Sequence, residues 1–394
     1  MSNSSIVVCG TGIAGLACAL GLARAGFSAT LLGPRQVPAA RSSDDYHPRV
    51  YAISQASRDL LDSLGAWRLM DFNRVSPVES MEIYGDAQGH INLSAWQDAR
   101  EALAWIVESS ELERALQQAV QVLGITWHED HFVGLDTNTA GVQVHTRQMG
   151  TIQAQLLVGA DGARSPVRQA AGIHHDYTPY GDMGVVAHLD LQYPHQQRAC
   201  QWFTGDSVFA LLPLPDTAKG PQASLVWSMP QGQAQAWMAQ DEPAQQAFLA
   251  THAQAITGGR LGKLTLRSRP QGFPLTFERT AMVAPGVALV GDAAHRVHPL
   301  AGQGLNLGLG DVRTLVQVLL ARGPHRLPGD AQVLACYRRR RAEPVLAMSL
   351  ATHGLHRLFG SGWAPLAWVR NQGMQIADQI PFIKRRLIQA AAGE

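Results

Sequence analysis

The sequence predicts an α/β fold, α+β when taken whole. A discontinuous domain built on a parallel sheet is interrupted by a mainly antiparallel β-sheet block and followed by a helical C-terminal segment. Three observations predict it. At the start of the chain a short apolar strand runs through a glycine-rich turn into an Ala- and Leu-rich helix. The same strand-then-glycine signature returns at Gly159 and at Gly291. Around and between these returns lie alternating apolar and polar runs broken by Gly, Pro or Asp, the punctuation of antiparallel strands.

The elements follow in order. Ser5 to Cys9 is an apolar, β-branched run ending in glycine, as a buried parallel strand does. Leu16 to Ala25 reads as a helix closed by Gly26, and Ser28 to Leu32 as the next strand. Further helices are expected over 54–66, capped by Ser54, and over 111–123. Short alternating runs occupy 75–100, including Met81 to Tyr84, and recur near 183–190, 207–214 and 223–229. From residue 303 the pattern is helical, interrupted by Pro328, Pro344, Pro365 and Pro381. The expected domains are 1–74, 101–175 and 279–345 for the parallel-sheet domain, 75–100 and 176–278 for the β-sheet domain, and 346–394 for the C-terminal helical segment.

Composition narrows the function classes. The chain has 394 residues, 46% hydrophobic and 16% charged, so it can bury a large core and is not a disordered chain. A formal charge of +1 provides no global drive toward nucleic acid or an anionic membrane. Cys9, Cys18, Cys200 and Cys336 are far apart with no CxxC pair, which reads as free thiols in a reducing compartment. No targeting signal and no stretch of about 18 uncharged apolar residues occurs, so a cytoplasmic protein is expected, peripheral at most on the inner face of the cytoplasmic membrane.

The chemistry is carried by three glycine corners. Gly10, Gly12 and Gly15, with Ile13 and Ala14 between them, form a turn that opens a helix: Gly10 for the tight turn, Gly12 for close approach of a pyrophosphate, Gly15 for helix–strand packing. The helix N-terminus offers free N–H groups to the phosphates, the Rossmann-like arrangement. The acidic residue that usually ends the second strand and holds a ribose is replaced by Gly33, with Arg35 or Gln36 as neighbours that could take its place. The second corner is Gly159-Ala-Asp161-Gly162, followed by Val167-Arg168. The third is Gly291-Asp292-Ala-Ala-His295, continuing through His298-Pro299, Gly302-Gln303-Gly304-Leu305-Asn306 to Asp311. Each corner places an acidic side chain or free N–H groups at a strand end or helix start, where sugar hydroxyls and phosphates can be bound.

With these motifs in place, the sequence resembles the single-component FAD-dependent aromatic monooxygenases, the p-hydroxybenzoate hydroxylase-like group, and within it the ubiquinone-biosynthesis hydroxylases. The resemblance covers almost the whole chain. It extends to Arg49-Val-Tyr-Ala-Ile-Ser54, Gln201-Trp202-Phe203, Phe209 to Leu214 and Ser224 to Ser228. It implies that Gly10, Gly12 and Gly15 hold the FAD pyrophosphate, that Arg49 lies against the FAD, that Asp161 belongs to the dinucleotide motif, and that Asp292 holds the ribityl chain. Ile13, Ala14, Gly291, Pro299, Gly302, Gly304, Leu305 and Asn306 complete the implied cofactor set. Pro299, Gly302 and Gln303 are the implied catalytic loop beside the flavin. Two departures are His47, where the family often has Asp, and Gly181-Asp182, where it often has Gln.

The implied reaction is hydroxylation of the aromatic ring of a polyprenylated phenol by O2, through a flavin C4a-hydroperoxide, with NADH or NADPH as a transient reductant. That chemistry needs a dry pocket. Trp202, Phe203, Phe209, Leu212, Pro213 and Phe273 are the candidate wall, with ordinary core packing as the competing reading. Hydroxylation of a small soluble phenol and a non-catalytic FAD-binding accessory role remain open. The histidines lack metal-ligand spacing, so no metal is expected, and His295 and His298 are expected to flank the flavin loop. The run Arg338 to Arg341 reads as a solvated helix face rather than a nucleic-acid patch. At the end of the chain, Trp363, Leu366, Trp368, Val369, Arg370 and Ile380 to Ile388 mix apolar and basic residues. These could contact a membrane, another quinone-biosynthesis protein, or the body of the fold.

Overall fold

The computed structural model describes residues 5–36, 44–86, 89–296, 303–360, 371, 374–375 and 378–393. Its centre is a six-stranded sheet in which β1 (Ser5–Cys9) lies between β2 (Ser28–Leu32) and β12 (Leu156–Gly159). Beyond β2 comes β8 (Thr126–His128), and beyond β12 come β20 (Val287–Leu289) and the short edge strand β19 (Val283–Ala284). All pairs are parallel except β19–β20. The three strands that precede the glycine corners therefore lie side by side, although Cys9 at the end of the first and Val287 at the start of the third stand 278 positions apart in the sequence (287 − 9). Their side chains are apolar and buried on both faces, as parallel strands require.

Helix α1 (Ile13–Arg24) covers this sheet and packs against α3 (Ser109–Val122) and α7 (Gly304–Leu320). Between them in sequence, α2 (Gln55–Ser63) begins where the Ser54 hydroxyl accepts the Ser57 N–H at 3.3 Å. It ends before residue 66 because the chain turns at Gly65, whose N–H bonds back to the Asp62 carbonyl. The short α4 (Pro166–Ala170) follows the second corner.

Two three-stranded sheets flank the parallel one. One joins β3 (Val50–Ile53), β4 (Val75–Val78) and β7 (Ala104–Glu108), and the other β9 (Phe132–Asn138), β10 (Gly141–Thr146) and β11 (Thr151–Ala154). The large sheet unites β5 (Ser80–Tyr84) and β6 (His90–Ser94) with β13 (His175–Leu191), β14 (Arg198–Thr204), β15 (Ser207–Thr217), β16 (Gly220–Pro230), β17 (Leu264–Leu266), β18 (Gln271–Thr280) and β21 (His295–Arg296). Its two faces differ. One is covered by α5 (Gln231–Met238) and α6 (Glu242–Thr257) over a core that includes Val185, Trp202, Phe209, Leu225, Trp227 and Trp237. The other turns Phe203, Val208, Leu212 and Leu214 toward Val50 and Ala52 of β3 and Ile106 of β7.

Helix α8 (Ala331–Gly360) runs through Pro344 instead of stopping there. Pro344 is exposed, so the carbonyl it strips of a partner can turn to water. Pro381 opens α9 (Pro381–Ala392), the first-turn position where a missing N–H costs nothing. The basic run divides: Arg338 to Arg340 are exposed, but Arg341 is buried, which corrects the reading of the whole run as a solvated face. Residues 361–370, including Trp363, Pro365, Leu366, Trp368, Val369 and Arg370, lie outside the described residues. Among the described residues no helix is long and apolar enough to cross a membrane.

Candidate active site

The first corner is built by close approach. Gly10 has φ +114°, and a Cβ there would stand 2.3 Å from the Ala160 carbonyl oxygen. A Cβ on Gly15 would stand 2.0 Å from the Gly10 carbonyl oxygen, so α1 could not start this near the strand with any other residue. Gly12 is different: a Cβ there would meet nothing within 4 Å. It caps α1 without a side-chain hydrogen bond, leaving the first N–H groups of the helix turned to open space. Ile13 is buried in the core beneath, and Ala14 is half-buried.

The other two corners close onto this one. Ala160 touches Gly10, and Gly291 comes so near Ala14 that a Cβ would lie 3.2 Å from the alanine methyl. On the far side, a Cβ on Gly308 would lie 3.0 Å from Gly291 Cα, which lets α7 press against the third corner. Buried Arg168 ties the second and third corners together, donating to the Ala163 carbonyl at 2.6 Å and the Ala293 carbonyl at 3.0 Å.

Asp161 shows what the junction is fitted for. Its Oδ2 accepts the Val167 N–H at 3.0 Å, while Oδ1 is buried with no partner among the described residues. Burial raises its pKa in spite of the Ser165 and Val167 hydrogen bonds and nearby Arg168. A buried carboxylate oxygen lacking a donor fits a ligand that brings hydroxyl groups. Gly33, the position without the usual acid, has φ +147°, and a Cβ there would crowd the Thr11 methyl at 3.0 Å. The backbone therefore disfavours an aspartate at this point. Arg35 is engaged with Glu129 at 3.4 Å and over the Trp127 ring at 4.6 Å, and the Gln36 carbonyl accepts from Gln117.

At the third corner, Asp292 is exposed and its charge acts on the Tyr51 ring, over which the Arg49 guanidinium lies at 5.0 Å. Burial, more than these charges, pushes the Tyr51 hydroxyl up to about 12. Arg49 is exposed as well, so both charged groups stand at the opening beside β3. The Asn306 side chain is a clasp. Its amide donates to the Ala52 carbonyl at 2.8 Å and to Gln303 Oε1 at 3.0 Å, and its oxygen accepts the Ser54 N–H at 3.0 Å. Asn306 therefore holds α7 to the β3–α2 junction, and only its backbone N–H, with those of Gly304 and Leu305, remains for a ligand at the start of α7. Pro299, Gly302 and His298 lie outside the described residues. His295 is buried against Asp311 at 2.7 Å, and Arg341 reaches the other Asp311 oxygen at 2.7 Å.

The candidate wall is split by strand alternation, since successive residues face opposite sides of a sheet. Phe203 and Leu212 face β3, on the same side as Phe273, which is in register with Gly184. Trp202 and Phe209 point the other way and are packed in the core under α5 and α6, where they cannot wall a pocket on the β3 side. Pro213, in phase with Phe209, shares that orientation. A cavity of about 230 Å³ touches Trp202, Leu212 and Pro213, but its lining of Tyr84, Cys200, Leu211 and Ala223 places it on the helix-covered side, away from the glycine corners. On the β3 side, Ala210, Val226 and Val186 form one register row across β15, β16 and β13 and stay half-exposed in mid-sheet. That row is an apolar floor the sequence reading did not single out. Its signal was the alternation itself.

The sequence profile described as FAD binding domain matches residues 3–349. The chain is similar to the 3-demethoxyubiquinol 3-hydroxylase of Escherichia coli K12, 32% identical over 99% of this chain and 98% of the relative. The chain belongs to the FAD-dependent aromatic monooxygenases, in the ubiquinone-hydroxylase branch. Ubiquinone hydroxylase UbiL of Rhodospirillum rubrum is 30% identical, covering 99% of this chain and 90% of its own. Among solved structures, HpxO of Klebsiella pneumoniae in complex with FAD and uric acid superposes with a TM-score of 0.75 at 16% identity. The match covers 100% of this chain and 96% of that one, and it shows the shared fold. The enzyme is thus an aromatic hydroxylase whose cofactor is FAD, and the residues at the three corners fit that cofactor. Sequence reasoning missed Arg168 as the tie between corners and Arg341 as the partner of Asp311. Neither has a local signal, because both bonds cross more than 29 residues.

Proposed function

We propose that the enzyme uses O2 and NADH or NADPH to hydroxylate the aromatic ring of a polyprenylated phenol in ubiquinone biosynthesis. The observation that carries this reading is end-to-end similarity to a 3-demethoxyubiquinol 3-hydroxylase at 32% identity, with no part of either chain left over beyond a few residues. FAD, when bound, supplies the redox chemistry, taking a hydride from the nicotinamide and activating O2. The protein supplies position and dryness. The N-terminus of α1 and Gly12 would hold the pyrophosphate, and Asp161 and Asp292 the sugar and ribityl hydroxyls. The N–H groups of Gly304, Leu305 and Asn306 would face the electron-rich edge of the ring system, where Pro299, Gly302 and Gln303 are the proposed catalytic loop. Val186, Ala210, Val226 and Leu212 would keep water from the reacting face.

In this reading residues 1–74, 101–175 and 279–345 form the FAD domain and 75–100 with 176–278 the substrate domain. Helix α9 would meet the lipid in which a polyprenylated substrate resides: Phe382 and Leu387 are exposed beside the exposed Arg385 and Arg386. Deleting the gene and identifying the quinone intermediate that accumulates tests the whole reading. A precursor lacking one ring hydroxyl is expected, and unchanged quinone would refute it. Co-sedimentation with anionic liposomes, compared for wild type and a double Arg385→Glu, Arg386→Glu variant, tests the lipid contact. Equal binding of the two would refute that part.

A further inference from the structure

The β3-facing side of the large sheet carries a polar pair that the flavin site does not use. His188 on β13 and Ser224 on β16 are directly opposed in the antiparallel ladder, with Leu212 of β15 next in the same row. Directly opposed residues share a face, with Cβ atoms about 4.5–5.5 Å apart. His188 is 1% exposed and Ser224 0%, yet His188 Nδ1 and Ser224 Oγ have no hydrogen-bond partner among the described residues. The adjoining row is the half-open floor of Val186, Val226 and Ala210. Two neighbouring orphaned polar atoms at the edge of an apolar floor carry a desolvation cost that a ligand group can relieve.

The rest of the imidazole is bolted down. Its Nε2 lies 2.9 Å from the His47 carbonyl oxygen, which can only accept, so Nε2 carries the hydrogen and Nδ1 presents a lone pair. The His47 N–H donates to Glu108, which Arg74 holds at 2.6 Å, and Tyr46 stands edge-on to the ring at 6.3 Å. Burial lowers the imidazole pKa despite the His47 carbonyl and Glu108, keeping the ring neutral at neutral pH and the lone pair free.

We propose that His188 and Ser224 are the recognition pair for a hydroxyl on the aromatic ring of the substrate: the ring O–H donates to Nδ1, and its oxygen accepts from the Ser224 hydroxyl. The inference rests on the phenolic reading above and adds the selecting residues. A methyl ether or quinone carbonyl at the same place has no hydrogen to donate and leaves Nδ1 unpaired, so the pair selects the phenol or quinol form.

The test titrates the FAD-loaded protein with a short-chain prenylphenol and with its O-methyl ether, following flavin absorbance. Wild type is expected to bind the phenol about tenfold tighter or more, and His188→Leu and Ser224→Ala to bring the ratio near one. If His188→Leu does not retain flavin, Ser224→Ala, the smaller change, carries the test. A ratio unchanged from wild type in the folded variants, or no preference in wild type, overturns the pair. Wild type that binds neither compound overturns the phenolic reading itself, a distinguishable result.

Discussion

His295 Nε2 and Asp311 Oδ2 lie 2.7 Å apart, both buried, and the same Asp311 oxygen accepts the N–H of Gly291 at 2.9 Å. With Arg341 on its second oxygen, one carboxylate pins the third glycine corner, α7 and α8 together. Removing one partner of such a cluster leaves buried groups uncompensated. Asp311→Ala is therefore expected to cost about 3–5 kcal/mol in urea unfolding and to empty the flavin site, because Gly291 loses its anchor. A loss below about 1 kcal/mol would show the cluster to be dispensable.

The first corner separates folding from binding. Gly12 has open space before it and Gly10 has none. Gly12→Val should give a folded protein, by circular dichroism, that retains less than about a tenth of the wild-type flavin absorbance, since the side chain fills the phosphate approach. Gly10→Val should not fold at all. A Gly12→Val protein that stays yellow would mean that the phosphates lie elsewhere.

Asp161 predicts opposite signs for stability and affinity. Burial raises its pKa above the ordinary carboxylate value by penalising the ionised form, so in the flavin-free protein that form is a liability at neutral pH. Asp161→Asn is expected to raise the melting temperature of the apoprotein and to weaken FAD binding about tenfold or more, because one acceptor becomes a donor. Calorimetry on the apoprotein and FAD titration read the two effects separately.

Acid should weaken the fold in two stages. His188 is lowered from 6.5 chiefly by burial. Asp311, ordinarily 3.8, is pulled below that value because His295, Arg341 and the Gly291 N–H outweigh the effect of burial. Glu278 is likewise pulled below 4.5, burial being outweighed by Arg296, Thr276 and His175. A lowered folded pKa means stability that is present above the unfolded value and is lost as pH falls through the folded one. Denaturant midpoints should hold steady at neutral pH, begin to fall below 6.5 as the unfolded chain takes up a proton at His188, and fall again below 4.5. In His188→Leu the first decline should vanish and the second remain.

Much of this was legible along the chain. The strand–glycine–helix signature located all three corners, and the alternating runs located the strands that form the large sheet, because backbone turns and strand periodicity are local properties. Gly10 was read for its turn, which its φ of +114° matches, and Gly15 for close helix packing, where a Cβ would stand 2.0 Å from the Gly10 carbonyl oxygen; the 2.3 Å approach of Ala160 to Gly10 was not foreseen. The wall stayed undecided between pocket and core where a choice of face was needed. Trp202 and Phe203 are adjacent, equally apolar and equally buried, and nothing local says which one meets the helices.

By itself, then, the sequence determined the family, the order of elements and the three glycine corners, each written in a handful of contiguous residues whose backbone demands are short-range. Only the tertiary structure decided that Arg341 is interior, that Asn306 is a clasp, that Trp202 and Phe209 belong to the helix-covered core, and that His188 stands opposite Ser224. Those facts depend on which distant segments meet, and burial and hydrogen-bond partnership between remote residues exist only once the chain has closed.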